Sequence, residues 1–248
     1  MSDFSPLTDA LNRIGDENAT AHFWMRDDDA VSDTPALRQL DEWAGNATTD
    51  ILLAVVPAIA DETLKEFLVE TERLCPCVHG WAHKSHASAD EKKMELGNHR
   101  PLKSVSAELK KGVGKMNDMF GDRARPVLVP PWNRISEEVI AALPGLGFQG
   151  LSAFGSEEEV HAPDELSIAN SQLDLIDWRG TRTCRPHDEL VRELAGHIES
   201  RAPAGLPVGI LGHHLVHDDA AWAFLDKLSA VVAAHHAAIW LPARAVFG

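Results

Sequence analysis

The sequence predicts an α/β protein, a (β/α) barrel of about seven or eight mostly parallel strands. Three observations carry this. Short apolar runs such as Ile51–Pro57 read as strands buried on both faces, the mark of parallel sheets. Amphipathic helical stretches alternate with these runs along the chain, the order of repeated βα units. The chain is 248 residues long, with no internal repeat and no Ser- or Gly-rich linker, so one barrel-sized domain over residues 1–248 is expected rather than two small ones. A doubly wound open sheet is the other arrangement that this alternation permits.

In chain order, Ser5–Gly15 predicts a helix, with Leu7, Leu11 and Ile14 on one face and Gly15 as its stop. Ala21–Asp27 predicts a buried strand that runs into an acidic triplet. Thr34–Pro35 then caps a helix whose Leu37, Leu40 and Trp43 share a face. After the Ile51–Pro57 strand come a helix near 61–73, a strand near 75–79, a helix near 104–120 and a strand near 126–130. A helix over 136–146 follows, capped by Ser136 and closed by Gly147. Further strands are predicted over 148–154, 173–178, 208–213 and 238–241, with helices near 188–199 and 219–235. The least regular segments, 84–102 and 155–164, lie just past strand ends, where barrel enzymes place substrate loops.

Composition narrows the function. With 23 Lys and Arg against 38 Asp and Glu, the net charge is −15, a field that repels phosphate backbones and anionic lipid surfaces, so neither nucleic acid nor membrane is an expected partner. The longest apolar run, 51–60, is half the length a membrane-spanning helix needs. Three cysteines (Cys75, Cys77, Cys184) are too few for a disulfide framework, and residues 1–20 lack the basic-then-apolar pattern of a secretory leader. A cytoplasmic location is expected. Cys75 and Cys77, two apart on a strand, share a face and read as core rather than as a metal site.

The unusual polar residues gather where predicted strands stop: Arg26–Asp29, His79–His83, Pro130–Arg134, Asp174–Arg179 and His213–His217. In a parallel barrel all strand C-termini share one rim, so these segments would converge on one mouth. His79 and His83, four apart, can present two imidazoles to one cation, and the aspartate triplet offers a hard oxygen as third ligand, leaving positions for water and substrate. Zn²⁺ suits this donor set first, with Co²⁺, Ni²⁺ or Fe²⁺ next. Adjacent carboxylates repel, so three in succession need a cation to offset them. One of them can ligate while a neighbour takes a proton.

Together these segments resemble the five motifs of the polysaccharide deacetylase superfamily, carbohydrate esterase family 4, a distorted (β/α) barrel, over positions 26 to about 217. With Ala30 in the place of the family's Gly, the resemblance makes Asp28 the catalytic base and Asp29 a metal ligand; a one-residue slip would promote Asp27. His79 and His83 match the His-x-x-x-His ligands. Val129-Pro130-Pro131-Trp132 keeps the Pro-Pro-aromatic part of the third motif without its preceding Arg, a gap that Arg26, Arg134 or Arg179 could fill. Asp177-Trp178 resembles the fourth motif, whose acid orients the catalytic histidine. Leu211-Gly212-His213 resembles the fifth, making His213 the general acid, with His214 as the alternate, and Leu211 part of the pocket wall. Trp81, Pro131, Trp132 and Trp178 would line the substrate groove.

The resemblance implies a metal-dependent hydrolase of C–N amide bonds that removes acetyl groups from an N-acetylated sugar or oligosaccharide. The same superfamily includes allantoinase-like and cyclic-imide-type hydrolases of small ring amides, which stand as the alternative, together with a non-catalytic carbohydrate-binding protein on the same fold. The sequence leaves the oligomeric state open.

Overall fold

The computed structural model describes residues 3–247. Among them nine strands and eight α-helices alternate, and the chain divides into two compact units. One holds the chain up to Asp27 together with Pro35–Ile51 and Ser171–Val246. The other holds Asp28–Thr34, Leu52–Asn170 and Phe247.

In the first unit β1 (Ala21–Ala30) is flanked in parallel by β8 (Val208–Gly212) and β9 (Ala238–Trp240), and β7 (Leu173–Asp174) runs parallel to β8 on its other side. The register sets Asp27 beside Gly212 and Asp174 beside Leu211. Five helices belong here: α1 (Ser5–Asp16), α2 (Pro35–Ala47), α6 (His187–Arg201), α7 (Asp219–Ala234) and the short α8 (Ala243–Val246). The predicted face of α2 is the buried one, and its Trp43 meets Trp240 edge-on at 5.4 Å.

The second unit is built on β2 (Ile51–Val55), β3 (Leu74–His79), β4 (Val127–Val129), β5 (Gly150–Leu151) and β6 (Ser167–Ile168), in that spatial order, with β3 to β6 paired in parallel. The end of β1 enters this unit, where the Ala30 and Val31 carbonyls accept from the amides of Val56 and Asp61, each at 3.0 Å. Helices α3 (Glu62–Glu70), α4 (Leu102–Phe120) and α5 (Glu137–Ala142) pack here, with α4 against β3. Every residue of β2 and β3 is buried, Cys75 and Cys77 included, which accords with their continuous apolar pattern.

Parallel pairing and βα alternation are thus those of the predicted class, a distorted (β/α) barrel. Several details differ. The acidic triplet lies inside β1 rather than after it. The runs over 148–154 and 173–178 reduce to two-residue strands, Gly150–Leu151 and Leu173–Asp174. The strand β6 and helix α8 carry no apolar period long enough to read. No helix of the described residues is long and apolar enough to cross a membrane.

Leu53 in β2 is fully buried. Leu53→Ala is expected to lower unfolding free energy by about 2–5 kcal/mol through lost transfer energy and the cavity left behind; urea unfolding with an unchanged slope would measure it.

Candidate metal centre and histidine cluster

In the second unit Asp29, His79 and His83 bring one ligand atom each to within 4.8 Å of one another. The Asp29 Oδ1 lies 3.1 Å from His79 Nε2 and 3.2 Å from His83 Nε2. Ligands bonded to a tetrahedral cation at about 2.0–2.1 Å stand a little over 3 Å apart, so this donor set fits a divalent metal. His79 ends β3, and its Nδ1–H donates to the Val129 carbonyl at 3.0 Å, which leaves the Nε2 lone pair for a cation. Burial lowers the pKa of His83 against the opposing pull of Asp29, and the neutral ring is the ligating form.

The backbone here is unusual. Asp29 and His83 have φ of +75° and +53°, and Trp132 and Asn133 both have +56°. Non-glycine residues visit this left-handed region seldom, and mostly as Asn or Asp. At Asp29 the turn breaks strand alternation and lets its carboxylate reach the histidines. The ring of Trp132 lies 4.4 Å from that of His83, with Lys93 Nζ 5.8 Å from the indole centre. Pro131 is buried beside Gly80, and the Trp81 carbonyl accepts from Ala58 N–H at 2.8 Å. Asp28, the expected base, is buried in β1.

One residue of this unit escaped the sequence reading. Glu95, from the irregular 84–102 segment, is buried and accepts from the amides of Ala82 at 2.8 Å and Trp81 at 3.3 Å. Burial pushes its carboxyl pKa up, while those two donors pull it down.

In the first unit the two residues that the sequence offered only as alternates pair with each other. Asp27, fully buried, accepts from His214 Nδ1–H at 2.5 Å and from the His214 amide at 2.9 Å. Gly212 makes room: a Cβ there would fall 2.6 Å from Met25 Cε and 2.8 Å from Asp27 Oδ2. His213 is half-buried; its amide donates to His217 Nε2 at 3.1 Å, and its ring meets Trp178 edge-on at 4.6 Å. Trp178, 40% exposed, is steadied by its Nε1–H donating to Asp174 at 2.9 Å.

Two expected residues are engaged in other contacts. β7 ends at Asp174, the chain turns at once, and Asp177 lies in that turn. Its carboxylate accepts from Thr181 and Gly180 amides at 3.1 and 3.0 Å, which lowers its pKa. Leu211 is fully buried between β1 and β7. Of the three candidate arginines, Arg134 donates to the Lys93 carbonyl at 2.9 Å, Arg179 is exposed, and Arg26 is fully buried in β1.

The fold is that of the family 4 carbohydrate esterases and polysaccharide deacetylases. No family model matches the sequence, and no curated protein does. Among solved structures, a protein assigned as a polysaccharide deacetylase from Mycobacterium smegmatis superposes with a TM-score of 0.66 at 15% identity, covering 90% of this chain and 87% of its own. A peptidoglycan N-acetylglucosamine deacetylase bound to a hydroxamate-type benzamide gives 0.56 at 15% identity, covering 94% and 95%. A family 4 acetyl xylan esterase from Clostridium thermocellum in complex with a cobalt ion gives 0.51 at 11% identity, covering 91% and 90%.

Two outcomes follow for the first unit. Gly212→Ala is expected to destabilise by about 1–3 kcal/mol, since the added methyl displaces either Met25 or the Asp27 carboxylate; urea unfolding reads it. His217 has its pKa pushed down to about 4 from 6.5, chiefly by burial. The unfolded chain therefore binds the proton first, and stability held above pH 6.5 is lost as pH falls towards 4, by roughly 3 kcal/mol over that window. His217→Gln should flatten this part of the stability–pH curve, and an unchanged slope would remove His217 as its source.

Proposed function

We propose that the chain is a metal-dependent deacetylase, hydrolysing the C–N amide of an N-acetylated sugar or oligosaccharide to acetate and a free amino sugar. The observation that carries this reading is the Asp29–His79–His83 triad, on a fold shared with deacetylases. A divalent ion held there, Zn²⁺ by its donor set, would supply Lewis acidity and lower the pKa of water towards about 7.

In this proposal the side chains divide the remaining work. Asp28, buried beside the ligand Asp29, is the base that takes the proton of the attacking water. Arg26, fully buried two residues earlier on the same strand, is the candidate to stand in for the arginine absent from the third motif. His213 donates to the departing amine, and the Asp27–His214 pair fixes the backbone on which His213 sits. Trp178, exposed, and Trp81 and Trp132, partly so, offer faces to sugar rings. β1 carries both Asp27 and Asp29, and the whole chain, 1–248, is proposed to act as one catalytic domain. A short or carrier-linked soluble oligosaccharide would suit a cytoplasmic setting, in keeping with three free cysteines.

Acetate release from N-acetylglucosamine oligomers by metal-loaded protein tests the proposal, with O-acetylated xylan and a cyclic imide as competing substrates. His83→Ala is expected to keep its fold by circular dichroism, lose stoichiometric metal by elemental analysis, and drop turnover at least a hundredfold. Retained metal, or hydrolysis confined to the cyclic imide, would overturn it.

A further inference from the structure

We infer that Glu95 is a positioning residue for the metal ligands: its carboxylate clamps the turn that joins His79 to His83. This rests on the triad being a metal centre.

His79 ends a strand and His83 stands on a left-handed backbone, so their convergence depends on the three residues between them. The two amides of that stretch given by Trp81 and Ala82 both point to Glu95, one to each carboxylate oxygen. A carboxylate suits this task because both its oxygens accept; an amide side chain would set its own N–H₂ against one of the donors. The third residue, Gly80, completes the fit. Its φ is +59°, and a Cβ there would overlap Glu95 Oε2 and lie 2.7 Å from Pro131 Cγ. The carboxylate thus occupies the space left by the missing side chain.

Glu95 is only 1% exposed, and burying a carboxylate is unfavourable unless its contacts compensate. Its own backbone is fixed from two directions. The neighbouring Leu96 bridges Ile135, and its carbonyl accepts from Ser136 N–H at 2.9 Å, tying it to the segment after Trp132. Arg100 reaches the Glu95 carbonyl at 3.5 Å while holding Glu108 of α4 with two bonds of 2.8 Å. The 84–102 loop, irregular in sequence, is in this part a brace for the ligand turn. Partners of this kind behind metal ligands alter affinity by about 10–100-fold when removed.

The test uses the full chain, Zn²⁺ affinity by competition with a chromophoric chelator, and the visible absorption of the Co²⁺-loaded protein. Glu95→Gln is expected to keep its far-ultraviolet dichroism, bind Zn²⁺ about 10–100-fold more weakly, and show an altered Co²⁺ band. A folded variant with affinity within twofold of the parent and the same Co²⁺ spectrum overturns the inference. Should the variant not fold, hydrogen exchange on the unmodified protein decides: the Trp81 and Ala82 amides are expected to be protected, and further protected by Zn²⁺. Fast exchange that ignores Zn²⁺ overturns the clamp. A parent that binds no metal sinks the triad and this inference together. A parent that binds metal but releases no acetate sinks only the proposed reaction.

Discussion

Three consecutive carboxylates sit on one largely buried strand, and much else in the molecule follows from the need to accommodate them. Asp27, Asp28 and Asp29 would repel one another and resist leaving water, so each requires its own arrangement. Asp27 meets the ring and amide of His214, and that contact demands a glycine at 212. Asp29 turns to a left-handed backbone and faces two imidazoles. The histidines thereby acquire a rigid requirement of their own, met by the Val129 carbonyl behind one and by the braced turn before the other.

The legible parts of this arrangement were those encoded by short spacings. The βα alternation reads directly from apolar runs and caps, and a four-residue histidine spacing already states a geometry. What could not be read depends on contacts between distant positions. The Asp27–His214 pair spans 187 residues, and strand alternation alone would have sent neighbouring side chains to opposite faces without saying which found a partner. Glu95 lies in a segment with no periodicity, where one glutamate among several acidic residues carries no mark of burial. Asp177 is a case where a recognisable pattern suggested an orienting acid; what the structure adds is a two-residue strand followed by a local turn whose amides the carboxylate accepts.

Two of the indoles set against histidines show how packing and side-chain orientation share groups. Trp132 lies against His83 and Trp178 against His213, so each limits the movement of its neighbour's ring. Trp178 does this while remaining substantially exposed, because its indole N–H is anchored to Asp174 rather than to the core. An aromatic face can therefore be offered to solvent without the side chain being loose.

The left-handed residues around the centre set stability against identity. Asp29 and Asn133 tolerate that conformation, whereas His83 and Trp132 hold it at a cost of order 1–3 kcal/mol each. Glycine would relax the backbone at all four positions, and at Asp29 and His83 it would also delete a member of the candidate triad. Random mutation that merely improves folding is thus biased, at these sites, towards a sturdier chain without that triad, and any lineage keeping the arrangement must continually discard the easier solution.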